Sequence, residues 1–546
     1  MHQDLTVFLG GRILLDVTGQ GVAVDALATS GGRVIATGNE AHELAAQNPG
    51  SVVELDGGVL APAVGDGHAH PLNGGLEALG PDVRSATSVP QLLDAVAKWK
   101  ADHPEADWII GGSYDPTLAQ GGVFEASWLD SVTGDTPAVL RSMDYHSVWV
   151  NSAALALAGI SVDSDDPPLG KIVRNGAGEP IGTLLEAAAN DFLTDHVPDL
   201  PIESRVTALE QATLAFAAQG TTWVQDAWVE TRDLEVYLTT ARQDRLHARL
   251  NLALRADPAR WQDQVSEFVA ARREVEEVGH SRLTAHTVKF FVDGVIEAGT
   301  AAMNEPYSDD PDNKGIPNWT REELSAAATA FDAAGFQLHL HAIGDAANTF
   351  ALDAIEAAAS ANGVSERPPV VAHVQLLSPR DVQRFTELRA IANFEPFWAK
   401  CDALMTDLTL PRIGHDRGEW LYVINTVVAS GATVSFGSDW PVTTLDWRQA
   451  MATAITRSDP DHPQASALLP HESVSSAVAY AAYTQGIAAQ IGGPFTGTLR
   501  LGDIADLVWL SGDPLETAAE ELAELAVHGT WLAGARTWPV AGADEH

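Results

Sequence analysis

Between about residue 61 and residue 490, short apolar runs alternate with longer stretches of helical periodicity. Runs such as Pro369-Val370-Val371-Ala372-His373-Val374 and Val434-Ser435-Phe436-Gly437 are too short for helices and rich in β-branched or aromatic residues, so they predict buried strands. Residues 324–331 predict a helix, with Thr320 as N-cap and Glu323 completing a capping box. The charge run over 267–277 predicts the solvated face of another. Strand–helix alternation of this kind is the signature of an α/β fold. Both ends of the chain break the rhythm. Residues 3–60 alternate like short strands joined by turns, with Gly31-Gly32 as a hairpin signal before Arg33-Val34-Ile35-Ala36-Thr37-Gly38. Strand-like segments return at 497–510 and 531–536. Residues 80–200 fit the alternation poorly, being rich in Gly and Pro with many Trp, Tyr and Asp.

Several predicted strands end in groups that bind metals. Gly65-Asp66-Gly67-His68-Ala69-His70-Pro71 follows an apolar run over 59–64. A strand puts residues i and i+2 on one face, so His68 and His70 can reach a single ion, and imidazole suits Zn, Fe or Ni. A chain with 18 histidines produces chance pairs, so this motif alone is weak. Thr287-Val288-Lys289-Phe290-Phe291-Val292-Asp293-Gly294 places one of only six lysines inside a buried strand. A buried ammonium is costly and tends to lose its proton. The neutral amine can then take up CO2, and the carbamate can bridge two metal ions. The plainer reading has Lys289 snorkelling to the strand end or pairing with Asp293. Residues 336–345 contain His339 and His341, residues 369–374 end near His373, and residues 434–441 carry Asp439. In a (β/α)8 barrel the C-terminal ends of the strands form the active-site face. His339 and His341 share a face and either could be the ligand. His341 lies nearer the strand end, and His339 one layer lower as a hydrogen-bonded core histidine.

Other residues are candidates for substrate contact. They are Asp144, His146 and Asn151 from the 80–200 region, with Trp440 and Trp398 as aromatic walls. Asp115, Glu186, Asp226 and Trp228 are weaker candidates, Asp226 being placed to project into the barrel mouth. His103, His247, His280 and His528 have no partner visible in the sequence.

The set His68, His70, Lys289, His341, His373 and Asp439 resembles the amidohydrolase superfamily, and within it the amidohydrolase-3 branch. That branch includes the YtcJ-like proteins and N-substituted formamide deformylases. The motifs that carry the resemblance are HAIGDAAN over 341–348, KFFVDGVIE over 289–297 and GSDWPV over 437–442. WIIGGSYDP from Trp108, DYHSVWVNSAAL from Asp144, GTLLEAA from Gly182 and AYAAYTQGIAAQIG from Ala479 support it. One departure is Tyr145, where relatives more often have glycine between Asp and His.

The resemblance implies a TIM barrel over 61–490 and a small β-sandwich built from 1–60 and 491–546. It makes about 80–200 an insertion over the barrel mouth that contacts substrate and excludes water. It implies two divalent metal ions, Zn foremost, with Fe, Mn, Co or Ni as alternatives. His68, His70 and Asp439 would hold the more buried ion and His341 and His373 the second, with carbamylated Lys289 bridging them. His341, in the His-Ala-Ile-Gly-Asp position, is the implied ligand on its strand. The implied reaction is hydrolysis of a C–N bond in an amide, N-formyl or N-acyl compound by a metal-bridging hydroxide. Asp439 would accept its proton and deliver it to the leaving nitrogen. The same scaffold also serves lactones, carbamates and cyclic imides. A non-catalytic interaction protein of this fold would have lost ligands, and none of the six is lost. Homodimers are common in the superfamily, an expectation that rests on the resemblance alone.

Composition agrees with a large barrel plus a satellite domain: 546 residues, 45% apolar and 19% charged. The single cysteine, Cys401, excludes a disulfide framework and a cysteine-based zinc site, and is read as a half-buried bystander. No apolar run is long enough to span a membrane and no signal-peptide pattern opens the chain, so a cytoplasmic location is expected. A net charge of −42 argues against nucleic acid or anionic membrane as partners and says little about substrate; the small-molecule substrate is what the resemblance implies.

Overall fold

The computed structural model describes residues 4–540 apart from 19–21, 461, 463 and 465. Eight parallel strands form one sheet in chain order: β1 (Val64–Ala69), β2 (Thr221–Val229), β3 (Arg249–Arg255), β4 (Leu283–Phe291), β5 (Gln337–Ala342), β6 (Val370–His373), β7 (Ile391–Phe394) and β8 (Val434–Phe436). The sheet curls until its edges meet. The Asp439 N–H donates to the His68 carbonyl and the His70 N–H to the Trp440 carbonyl, both at 2.7 Å. Gln490 spans the same seam, accepting from the Ser435 hydroxyl and donating to the Gly67 carbonyl at 2.8 Å each. Gly437 makes this closure sterically feasible, because a Cβ there would lie 2.8 Å from the His68 nitrogen. The architecture is a TIM barrel.

Helices between the strands cover the barrel, as the alternation predicts. Arg321–Ala333 starts at Thr320, whose hydroxyl oxygen accepts from the Glu323 N–H at 3.2 Å. Trp261–Val278 buries Phe268, Ala271 and Val275 and turns the charged residues Glu267, Arg273, Glu274 and Glu277 outward. After β5, the Asn348 side-chain amide donates to the carbonyls of Ala342, Gly344 and Leu376, which locks the turn that presents His341.

The two chain ends form one small sandwich. A six-stranded sheet runs from Ala535–Trp538 through Val527–Leu532, Leu507–Leu510, Val59–Pro62 and Arg12–Leu14 to Ala23–Val24. A four-stranded sheet holds Arg33–Thr37, Leu27–Ser30, Thr6–Leu9 and Val52–Glu54. Phe8 from the second sheet meets Trp531 from the first edge-to-face at 5.0 Å, within a shared core of Ile13, Leu27, Leu60 and Leu507. The apolar run before His68 is therefore divided: Val59–Pro62 pairs with Leu507–Leu510 in the sandwich, and the barrel begins at Val64.

The 80–200 region is a folded layer rather than loops. Five strands, Ile109–Tyr114, Ala138–Ser142, Ser147–Val150, Pro180–Glu186 and Gly170–Arg174, form a sheet with an apolar cluster of its own around Tyr114, Phe124 and Trp149. The turn between Ala138–Ser142 and Ser147–Val150 reaches the barrel mouth and carries Asp144, Tyr145 and His146.

Candidate active site

Strand alternation turns His68 and His70 inward at the end of β1. Beneath them Asp66 accepts from the backbone N–H of His68 at 3.1 Å and of Ser438 at 3.0 Å, tying β1 to the turn after β8. That turn holds Asp439 in the left-handed region, φ 52°, and aims its carboxylate back at the pair. Its Oδ1 lies 2.8 Å from His70 Nε2 and 3.5 Å from His68 Nε2. Ligand atoms of His68, His70 and Asp439 all fall within 4.8 Å of one another. Oδ1 is buried and has no well-formed hydrogen bond, with His70 Nε2 as its near neighbour. A buried carboxylate oxygen left bare between two imidazole nitrogens is costly in a protein core and suited to a cation. The donor set fits a divalent metal ion.

The remaining strand-end groups surround this trio. Lys289 is fully buried on β4, its Nζ 3.2 Å from His68 Nε2. Burial lowers its pKa to about 7, against the opposing pull of Asp439, Glu395 and Asp226. The pairing with Asp293 is not made. Asp293 instead accepts backbone N–H groups from Ala302, Ile343 and Gly344 at 2.8–3.0 Å and so splices the loops after β4 and β5. His341 donates from Nε2 to the Gly294 carbonyl at 3.2 Å, which leaves Nδ1 unclaimed. His373 has its Nδ1 on Glu395 Oε2 at 2.8 Å, which leaves Nε2 unclaimed. The His373 ring sits 4.5 Å from that of His341 and 4.6 Å from that of His68. Burial lowers the pKa of all four histidines, His373 to about 3, so the rings are neutral, the form that binds metal. For Asp439, burial pushes upward, and the approach of His70, His373 and Lys289 more than offsets it, so the carboxylate stays ionised.

A cavity of about 250 Å³ opens over these six residues. Trp228, Phe291, Phe397, Trp398 and Tyr422 give it an aromatic wall, with Trp398 stacked parallel to His373 at 5.3 Å. The insertion closes one side with Asp144 and His146. Asp144 accepts from the His146 N–H at 2.9 Å and from the Ser142 hydroxyl, so it shapes the turn as well as facing the cavity. The His146 ring lies 5.4 Å from that of His341, and its Nδ1 meets Glu186 Oε2 at 2.8 Å. The other Glu186 oxygen accepts from the Thr300 hydroxyl at 2.5 Å, so one carboxylate joins the insertion to the barrel. Glycine at 294 leaves room for that carboxylate, which a Cβ would strike.

Burial alone would lower the His146 pKa, but Glu186 raises it to about 9 from an ordinary 6.5. A group whose folded pKa is raised stabilises fully below the unfolded value and loses that contribution as pH rises through the folded one. In chelator-treated protein, Glu186→Gln is therefore expected to lower Tm most near pH 6, with the gap closing above pH 9. A gap in Tm that stays constant from pH 6 to pH 10 would show that the charge pair contributes nothing.

Three candidates from the sequence fall outside the cavity. Asn151 caps the helix Ser152–Leu157 through the Ala154 N–H and spends its amide on Thr133 and the Thr136 carbonyl, wholly inside the insertion. Trp440 packs edge-on against Phe216 at 5.4 Å and fills the space over Gly74, behind the site. Asp226 accepts from the Tyr237 hydroxyl at 2.6 Å beneath the barrel mouth. Each has an ordinary structural job that its sequence position does not disclose. Asp115 and Trp228 do line the cavity, and Cys401 is half-buried away from it. Of the unassigned histidines, His103 stacks on Trp99 and His280 meets Asp244 at 3.1 Å.

The residue that sequence reasoning missed is Glu395. It is fully buried one position after β7, and its Oε1 has no hydrogen-bond partner. Its signal was a lone acid inside Ile391-Ala392-Asn393-Phe394-Glu395-Pro396-Phe397-Trp398, an apolar setting that rarely hosts an unpaired carboxylate.

A parallel barrel with buried histidines and a carboxylate gathered at the C-terminal ends of its strands is the architecture of a metal-dependent hydrolase. The chain belongs to the amidohydrolase family, whose profile matches residues 51–537. It is 29% identical over 532 residues to Protein LONG AFTER FAR-RED 3 of Arabidopsis thaliana, covering 94% of this chain and 88% of that protein. It is 25% identical over 524 residues to the N-substituted formamide deformylase of Arthrobacter pascens, covering 93% of this chain and 94% of that one. An uncharacterised metal-dependent hydrolase from Pyrococcus horikoshii shares the fold with a TM-score of 0.74 at 23% identity, over 94% of this chain and 99% of that chain.

Proposed function

We propose that this protein hydrolyses a C–N bond in a small amide, of the N-formyl or N-acyl type. The observation that carries the reading is the bare Asp439 oxygen between His68 and His70, opening on a cavity that also holds Lys289, His341 and His373. In this reading His68, His70 and Asp439 would hold one divalent ion, Zn foremost, and His341 and His373 a second. Lys289, carbamylated by CO2 with loss of a proton, would be a further ligand. Such ions, when bound, supply Lewis-acid charge to the carbonyl and make water a nucleophile at neutral pH.

The protein's own groups do the rest. Asp439 accepts the proton of the attacking water and later delivers it to the leaving nitrogen, without which an amine departs poorly. His146 stands at the opposite wall with Nδ1 anchored on Glu186, so Nε2 is the atom it offers to substrate. The aromatic wall excludes water and favours an apolar substituent on the amide. The activity named for the Arthrobacter relative, on N-substituted formamides, is of this chemical type.

The test is elemental mass spectrometry on protein purified without chelators, followed by an amine-release assay with N-substituted formamides and acyl amides. About two divalent ions per chain and turnover of an amide are the expected results. Faster opening of lactones or cyclic imides than of any amide would move the reaction to another bond. A chain that takes up no metal, even on addition, would remove the hydrolytic reading.

A further inference from the structure

We propose that His339 is a positioning residue for the metal centre: it accepts the Nδ1 proton of His68 and so makes Nε2 the metal-facing atom. This rests on the reading of His68 as a ligand. His339 lies on β5 across from Lys289, one layer below His341, and does not face the cavity. Its Nε2 is 2.9 Å from His68 Nδ1, and both rings are fully buried. Among the described residues its own Nδ1 has no partner, and the contact with His68 is the one hydrogen bond this buried ring makes.

The protons on the pair then follow from geometry. His68 Nε2 points at Asp439 and Lys289, where an ion would sit, so it must be free of hydrogen to bind one. The hydrogen of neutral His68 is therefore on Nδ1, and it is donated to His339 Nε2. His339 then carries its hydrogen on Nδ1, a buried donor with no partner among the described residues. Metal-bound histidines usually donate to a carboxylate or carbonyl, as His373 does to Glu395. Behind His68 that choice would add another carboxyl group to a buried region already holding Asp66, Asp439 and Glu395. An imidazole accepts the same hydrogen without adding charge. The His68 position is consequently backed by an imidazole and the His373 position by a carboxyl group.

The experiment compares His339→Leu, which removes the acceptor, with His339→Gln, whose amide oxygen keeps one. Zinc affinity is read by competition with a chromophoric chelator on the full chain. His339→Leu is expected to weaken one zinc site by about 10–100-fold, with His339→Gln within about threefold of the unaltered protein. Equal affinity in all three would overturn the proposal. Independently of metal, long-range 1H–15N spectra of the chelator-treated, unaltered protein should show His68 with its hydrogen on Nδ1. A hydrogen on Nε2 would overturn the proposal even if zinc binds. If the unaltered protein takes up no zinc, the metal-centre reading fails, while the spectra still decide whether His339 accepts from His68.

Discussion

Asp439→Asn is expected to lower kcat/KM on any amide substrate by about 10⁴-fold while leaving the fold intact. Two losses combine. Asparagine has no carboxylate to take the proton of the attacking water, and a positioned acid–base group is worth up to about 10⁴-fold. The substitution also removes the negative charge between His68 and His70, where Oδ1 approaches Nε2 of His70 at 2.8 Å. Because asparagine matches aspartate in size and keeps an oxygen, the turn after β8 and the 2.7 Å bond from the Asp439 N–H to the His68 carbonyl are preserved. Metal content should fall by no more than one ion per chain, and Tm in the metal-free state should change little. The leaving group separates the two losses. If Asp439 shuttles the proton, amides of weakly basic amines should retain more activity in the variant than amides of alkylamines. An equal loss across both would reduce Asp439 to a ligand and reassign the proton transfer.

The six strand-end residues were legible because their strands are short and mostly apolar, so the imidazoles, the lysine and the aspartate stand out. A lysine among Val and Phe, or an aspartate after Phe436-Gly437-Ser438, conflicts with burial unless chemistry requires it. The alternation made an α/β fold legible, and the barrel followed from the family resemblance. What the sequence did not disclose depends on long-range pairing. Leu507–Leu510 lies beside Val59–Pro62, and nothing local to either segment specifies the other. Residues 80–200 read as irregular because their five strands are short and separated by loops and short helices, and their order in the sheet is not their order in the chain. Asn151 and Asp226 were misread for a related reason. A polar residue in a strand or just after it binds a neighbour or caps a helix as readily as it faces a substrate, and only the packing partner decides. Glu395 went unnoticed because Pro396 follows it, and the segment reads as a turn after a strand.

Lys289 is where stability and function pull against each other, and Lys289→Met should separate them. In metal-free protein the ammonium is buried with no carboxylate in contact, beside a histidine and the Phe291 ring. Burial depresses its pKa to about 7 from 10.5. A lysine with a depressed pKa costs nothing above pH 10.5, where folded and unfolded chains are both neutral. Its cost grows as pH falls towards 7 and is constant below that. Methionine fills a similar volume without a charge. The variant should therefore be more stable than the unaltered protein by a few kcal/mol at pH 6, and the advantage should vanish near pH 10.5 in chelator-treated samples. Activity should move the other way, falling by about 10³-fold or more as the bridging group is lost. Lys289→Ala extends the test, because it leaves space where the carbamate would stand. Added acetate or propionate should restore part of its activity and its second metal ion, and should restore nothing to Lys289→Met, whose side chain occupies that space. An unrescued alanine variant that keeps two ions per chain would remove the carbamate from the mechanism and leave Lys289 as a cation facing the substrate.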